Sequence, residues 1–262
     1  SGKYQIFSGN EENFNKNGAT LLEERIYLFN GRTNFIYCFS VDEINSMLVD
    51  KDQIIGRPTQ YLNTLRGVKG IGNKIGESTY YHYHYNTHYN TFGCHEIAVA
   101  TEMGTHTNVH RLIGCCLHIM YPILVYEWEE KGTLESRIIN DEGESKETLE
   151  WKDRLSIAWE IAHAVAYLQT AFDRPIVHRN LKPANVFLDQ DDSVKLSDFR
   201  LSISIPVGKK YVEEVVRGTI GYIALEYFKS SRVAESSDVF AFGTILLVLV
   251  TGKSHSTFAQ SN

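Results

Sequence analysis

The chain has no excess of positive charge: 26 Lys and Arg stand against 32 Asp and Glu, for a net charge of -6. No global basic field therefore draws it to nucleic acid or to an anionic membrane, and basic residues are not interleaved with aromatics. Long apolar runs are absent. The longest, Val239 to Val250, is interrupted by Gly243 and Thr244 and is too short to span a bilayer, so it reads as a buried helix. The polar stretch Ser1 to Asn10 has no apolar core of a secretory signal. Cysteine is scarce. Cys38, Cys94, Cys115 and Cys116 form no C-x-x-C pair, and reduced thiols of a cytosolic protein are expected. His82, His84, His88 and His95 lack the cysteine or carboxylate that would complete a metal set, so no metal site is expected. No G-x-S-x-G or Cys-His-Asn nucleophile pattern occurs.

Against these absences stand 262 residues with 43% hydrophobic content, enough for a substantial core. The most informative segment is Val177-His178-Arg179-Asn180-Leu181-Lys182-Pro183-Ala184-Asn185. It resembles the catalytic loop of protein kinases, H-R-D-x-K-x-x-x-N, with Asn180 in the slot of the catalytic Asp. An Asp carboxylate accepts the proton of the attacking hydroxyl; an Asn amide has the same shape and almost no basicity. Further elements follow in kinase order. Lys195-Leu196-Ser197-Asp198-Phe199-Arg200 resembles the strand and D-F-G element, with Arg200 in place of Gly. Gly218-Thr219-Ile220-Gly221-Tyr222 is similar to the G-T-x-G-Y of plant receptor-like kinases, and Ala224-Leu225-Glu226 stands where A-P-E ends the activation segment. Asp238 to Gly243 resembles the start of the central C-lobe helix. Upstream, Leu124 to Trp128 looks like the hinge with Tyr126 in the gatekeeper slot, and Glu96 occupies the position of the αC glutamate.

The resemblance implies an α+β, two-lobed protein-kinase-like fold: an N-lobe antiparallel sheet with αC, and a mainly helical C-lobe. Residues 1–40 read as an N-terminal extension with a docking helix, 41–128 as the N-lobe, and 129–262 as a partial C-lobe that looks C-terminally truncated. In the extension, Asn17-Gly18 reads as a turn. Thr20 and Glu23 make a capping box, Leu22, Ile26 and Phe29 follow at helical spacing, and Asn30-Gly31 ends the helix. Val41 to Ile44 begins a short helix. Ile54 to Val68 reads as the first two strands, Tyr80 to Tyr85 as the third, and Val109 to Ile113 and Pro122 to Tyr126 as the last two. Trp151 to Thr170 is expected as a helix whose packed face carries Leu155, Trp159, Ala162 and Ala166.

The nucleotide site looks degenerate in several independent places. The Gly-rich loop slot reads Ile55-Gly56-Arg57-Pro58-Thr59-Gln60-Tyr61: one glycine survives, Pro58 has no N–H to offer a phosphate, and Tyr61 adds bulk. The nearby Gly70 to Gly76 run reads as a turn between the second and third strands. The third-strand Lys slot is filled by Tyr81-His82-Tyr83-His84-Tyr85. What remains is Glu96, Lys182, Asn185 and Asp198, of which Asn185 and Asp198 are the groups able to ligate Mg²⁺. No cofactor is required by this reading. Weak binding of ATP and Mg²⁺ at these residues is the alternative, in a weak or unconventional Ser/Thr kinase or a nucleotide-sensing pseudokinase of another pathway. Removing a general base alone typically slows such chemistry by about 10²–10⁴-fold.

Several stretches narrow the resemblance. Leu112-Ile113-Gly114-Cys115-Cys116-Leu117 is similar to a segment of plant wall-associated kinase relatives. Asn17-Gly18, Leu21 to Glu24, Asn30-Gly31, Phe39-Ser40, Val186 to Asp189 and Leu201 to Lys209 resemble the ZED-related (ZRK) pseudokinases. That family implies an adaptor in plant cytosolic immunity, without a transmembrane segment and associated with the plasma membrane through its complex. Its members pre-bind the leucine-rich-repeat domain of a coiled-coil NLR receptor. They then recruit a receptor-like cytoplasmic kinase modified by a bacterial effector, and resistosome assembly follows. On this chain the NLR surface would carry Leu22, Ile26, Tyr27 and Phe29, an apolar and aromatic face of hot-spot character. The modified kinase would meet Arg200, Lys209, Lys210 and Arg217 of the activation segment, cations able to bond added phosphate groups.

Overall fold

The computed structural model describes residues 7–32, 34–47, 62–71, 74–83, 89–138 and 149–253. The chain forms two compact units, one of residues 1–105 and 111–128, the other of residues 106–110 and 129–262.

The first unit opens with helix α1, Glu11–Phe29. Asn10 caps it, its side chain accepting from Asn13 N at 2.8 Å, and Glu11 and Glu12 lie favourably at the positive end of the helix dipole. Asn30 ends it in the left-handed region at φ 54°, followed by Gly31 at φ 75°. The helix thus stops where the sequence indicates, but it starts earlier. Asn17-Gly18 is not a turn and Thr20 is not a cap; both lie inside the helix, and Thr20 Oγ1 donates back to Lys16 O. The reason is tertiary. The buried Asn17 amide donates to Leu117 O at 2.9 Å and Ile119 O at 2.8 Å, bonds that a local turn would forgo.

Strand β1, Tyr37–Cys38, leads to helix α2, Val41–Met47. Ser40 and Glu43 form a reciprocal capping box there: Ser40 Oγ accepts from Glu43 N at 3.2 Å, and Glu43 accepts from Ser40 N at 2.8 Å. Strands β2, Leu62–Ile71, and β3, Lys74–Tyr83, pair antiparallel from Ile71 opposite Lys74 to Leu62 opposite Tyr83. Gly70 and Ile71, and Lys74 to Gly76, of the expected turn therefore lie in the paired strands, while residues 72 and 73 lie outside the described residues. Helix α3, Tyr89–Met103, precedes strands β4, Leu112–Cys116, and β5, Ile123–Glu127. The fourth strand begins at Leu112 rather than Val109, because Val109 bridges instead to Leu196 within the second unit. The sheet runs β1-β4-β5-β3-β2, antiparallel except for the parallel β1–β4 pair. One of its faces buries Phe39, Ile44, Met47, Cys116, Ile119, Ile123 and Val125 together. Residues 48–61, which include the expected first strand and the Gly56 loop slot, lie outside the described residues, as do His84 and His88.

The second unit contains helices α4, Leu134–Ile138, and α5, Trp151–Thr170, then strand β6, Ile176–Val177. A 3₁₀ turn at Pro183–Asn185 leads to the hairpin β7, Val186–Leu188, and β8, Val194–Leu196. After a second 3₁₀ turn at Phe199–Leu201, strand β9, Ile203–Ser204, pairs with β6. Strand β10, Val212–Glu213, helix α6, Leu225–Ser230, strand β11, Arg232–Val233, and helix α7, Glu235–Thr251, follow, with β10 pairing β11. Helix α5 forms as expected but packs by its other face. Ile157, Ile161, Ala164 and Leu168 are buried, while Leu155 and Trp159 are 53% and 61% exposed. The helix is apolar on two sides, and periodicity alone does not say which side meets the core. No helix among the described residues is long and apolar enough to cross a membrane.

Candidate functional site

The loop after β6 is held by one buried carboxylate. Asp238, at the start of α7, accepts from His178 N at 2.7 Å and Arg179 N at 3.0 Å. Burial pushes its pKa up, and the two amides with the His178 and Arg179 charges pull it back. The bonds hold Arg179 at φ 66°, a strained left-handed conformation for a side chain with Cβ. His178 Nε2 lies 2.9 Å from Ser197 O and so ties this loop to the strand before Asp198. The Asn185 amide donates to Asn180 O at 2.8 Å, and Ser197 N donates to Asn185 O at 2.9 Å. Asn180, Asn185 and Asp198 are thus brought to one place by backbone and side-chain bonds together.

At that place Asn180 acts as a two-sided clamp. Its Nδ2 donates to Asp198 Oδ2 at 3.2 Å, and its Oδ1 accepts from Thr219 Oγ1 at 2.8 Å. An Asp side chain could make only the second bond. Sequence reasoning did not single out Thr219; its place in the G-T-x-G-Y element was the available signal. Gly218 beside it sits at φ 134°, where a Cβ would lie 2.7 Å from Arg179 O. Only glycine allows that approach of the activation segment to the loop.

Asp198 is already neutralised from within the chain. The Arg200 guanidinium grips it with two nitrogens, Nη2 donating to Oδ2 at 2.7 Å and Nε bonding Oδ1. Burial alone would raise the Asp198 pKa; Arg200, with smaller contributions from His178 and Lys182, outweighs it and holds it lowered to about 2. Asp198 itself adopts the left-handed conformation φ 67°, ψ 66°. A two-pronged Arg–carboxylate pair uses the same oxygens that a divalent cation would. Arg200 therefore corrects the expectation that it serves as a surface cation for an incoming phosphate: it points inward, 22% exposed, onto Asp198.

Lys209 and Lys210 are exposed. Arg217 N donates to Tyr227 Oη at 3.0 Å. Arg179 anchors the same segment, Nη2 donating to Val215 O at 2.9 Å and to Tyr227 Oη at 2.8 Å. Val215 and Ile220 remain exposed on it.

In the first unit, Glu96 on α3 is buried and accepts from Tyr126 Oη at 2.9 Å. Strand β3 places Thr79 opposite Tyr126 and Tyr81 opposite Leu124. Helix α1 packs along α3, with His95 Nδ1 2.8 Å from Glu24 Oε2 and Cys94 Sγ donating to Asn17 O at 3.4 Å. Leu22, Ile26 and Tyr27 are 56%, 55% and 53% exposed. Phe29 departs from the expected surface face: it is buried at 7%, in the last turn of α1.

A sheet with a glutamate-bearing helix, a catalytic-type loop held by a buried aspartate, a D-F-x turn and an activation segment tied to that loop define a protein kinase fold. The protein tyrosine and serine/threonine kinase family profile matches residues 82–261. Among Arabidopsis thaliana proteins, the chain is 40% identical over 241 residues to non-functional pseudokinase ZED1, covering 91% of this chain and 70% of that protein. It is 37% identical over 255 residues to non-functional pseudokinase ZRK2, covering 93% and 68%. It is 46% identical over 162 residues to serine/threonine-protein kinase ZRK1, covering 60% and 45%. The chain belongs to the ZED-related (ZRK) group of plant receptor-like protein kinases.

Proposed function

We propose that the chain is a catalytically inactive pseudokinase that works as a binding adaptor. The observation that carries this reading is the Asp198–Arg200 pair beside Asn180. The slot of the base holds a neutral amide that already donates to the metal-binding carboxylate, and that carboxylate already holds a cation. Phosphoryl transfer depends on positioning and charge neutralisation by Mg²⁺, and both are displaced by bonds within the chain. The names of ZED1 and ZRK2 as non-functional pseudokinases support the same reading. No ATP or Mg²⁺ is required.

The adaptor role is in plant immunity, in the cytoplasm, and its partners follow from the family resemblance. The leucine-rich-repeat domain of a coiled-coil NLR meets the exposed Leu22, Ile26 and Tyr27 of α1, and an effector-modified receptor-like cytoplasmic kinase meets the activation segment at Lys209, Lys210 and Arg217. Exposed apolar and aromatic residues on a helix fixed by two caps supply a rigid anchor of the kind that dominates interface energy. The test is co-purification with a ZRK-type NLR, wild type against Ile26→Glu/Tyr27→Glu. Binding abolished by the double change supports the reading. A folded protein that binds in neither form sinks it.

A weak kinase is the second reading, favoured by retained Asn185, Lys182 and Asp198 and by the name of ZRK1. It requires Mg²⁺-dependent ATP stabilisation that Asp198→Ala removes.

A further inference from the structure

Two thiols in the first unit face each other across the parallel β1–β4 pair. Cys38 on β1 and Cys115 on β4 are directly opposed in register. Side chains of opposed residues in a pleated sheet project to the same face, and Cα atoms of neighbouring strands are about 4.8 Å apart, inside the 4.4–6.8 Å range of disulfides. Phe39 N donates to Cys115 O at 2.7 Å, which pins the register on one side. Gly114 pins the other: a Cβ there would lie 2.5 Å from Tyr37 O and 2.6 Å from the Phe39 ring. The alternation is consistent with this placement, since Phe39 and Cys116 project together into the core on the opposite face. Cys38 is exposed and Cys115 is fully buried.

We propose that Cys38 and Cys115 form a peroxide-sensitive thiol pair, Cys38 reacting first and Cys115 resolving it to a disulfide that staples the N-terminal extension to the sheet. The exposed Cys38 thiolate attacks a hydroperoxide. Its S–O bond forms as the O–O bond breaks, giving a sulfenic acid and, from the other oxygen, water or an alcohol. The Cys115 sulfur then attacks the Cys38 sulfur, and the hydroxyl leaves with the Cys115 proton as water. Two thiols are oxidised by two electrons and the peroxide is reduced by two.

The local chemistry suits these roles. The neighbouring Cys115 thiol and, with it, the Leu117 backbone bring the Cys38 pKa down to about 7 against burial and the Glu43 carboxylate. The neighbouring Cys38 thiol, and then burial, push Cys115 up, as expected of a group that reacts second. Cys94 and Cys116 are raised to about 12 and about 11 by burial and stay protonated thiols.

The experiment treats the folded chain with one equivalent of hydrogen peroxide, blocks free thiols with N-ethylmaleimide, and maps peptides without reductant by mass spectrometry. The expected product joins the Cys38 and Cys115 peptides with loss of two hydrogen atoms and is reversed by dithiothreitol. Cys38→Ser abolishes it and Cys94→Ser leaves it intact. Cys115→Ala, which keeps the buried site apolar, leaves a Cys38 sulfenic acid that dimedone traps. A link through Cys94 or Cys116 overturns the proposal. So does Cys38 that stays alkylatable, or that proceeds to a sulfinic acid while Cys115 remains free.

Discussion

Replacing Asn180 by Asp restores the consensus residue of a kinase catalytic loop, and the structure says it destabilises this one. The change removes the donor to Asp198 Oδ2, 3.2 Å away, and puts a second carboxylate there. Two like charges about 3 Å apart repel by about 5 kcal/mol at an effective dielectric of about 20. Losing a hydrogen bond to a charged acceptor adds about 1.5–3 kcal/mol. Two effects limit the sum. Arg200 lies close enough to screen both charges, and the new carboxyl can take up a proton, which caps its cost near 4 kcal/mol at pH 7. The net expectation is a loss of about 2–4 kcal/mol, or about 5–15 °C in thermal midpoint. The sign with pH follows from the linkage. The new carboxyl has a folded pKa raised above its unfolded value, so its penalty is full above the folded pKa and fades as pH falls toward about 3.9. In the wild type Asp198 is held at about 2 and stays ionised through that window, so the change belongs to the variant's carboxyl pair. Thermal unfolding of wild type and Asn180→Asp at pH 8 and pH 5 checks this. A variant as stable as wild type at pH 8, or a deficit that grows on acidification, refutes the clamp. No kinase activity is expected to appear, because Arg200 still occupies Asp198.

Arg200→Gly leaves Asp198 buried without its cation, a loss of about 3–5 kcal/mol. Mg²⁺ at about 100 times its dissociation constant then returns about 2.7 kcal/mol, so this variant is expected to gain a Mg²⁺-dependent thermal shift that wild type lacks. Asp198 in wild type has its pKa lowered from 3.8 to about 2, so the pair contributes on the order of 2 kcal/mol above about pH 4, and this is lost as pH falls toward 2. Urea unfolding should show the gap between wild type and Arg200→Gly narrowing below pH 4. Asn17→Leu leaves the Leu117 and Ile119 carbonyls buried without their donor and is expected to lower stability by about 2–4 kcal/mol in urea titration. Ile26→Glu/Tyr27→Glu changes exposed residues only and should shift stability by less than about 0.5 kcal/mol by the same measurement, which separates lost binding from lost fold.

Much of the site was legible because kinase chemistry leaves ordered residues at fixed places. Asn180, Asn185 and Asp198 are readable as successive slots of that order, and Arg200 as the residue that replaces the glycine after Asp198-Phe199. Their mutual bonding was not legible. Arg200 folds back onto Asp198 two residues earlier, beside a left-handed Asp198 backbone, and Thr219 reaches Asn180 across 39 positions of sequence. The short elements fared alike. The end of α1 at Asn30-Gly31 follows from local backbone preference, and so was readable. Asn17 inside that helix was misread as a turn, because its partners Leu117 and Ile119 lie a hundred residues away.

Residue identity and order alone carry the class of fold, the neutral amide at Asn180, and the group of proteins to which the chain belongs. These depend on residue identity and order, which the chain carries directly. The fold settles how these groups bond and which faces are covered: Arg200 on Asp198, Asn180 between Asp198 and Thr219, Phe29 buried beside an exposed Ile26, and α5 packed by Ile157 and Ile161 rather than Leu155 and Trp159. Each of these is a choice between two faces or two partners of similar local preference, and it is settled by which groups distant chain segments bring within bonding distance.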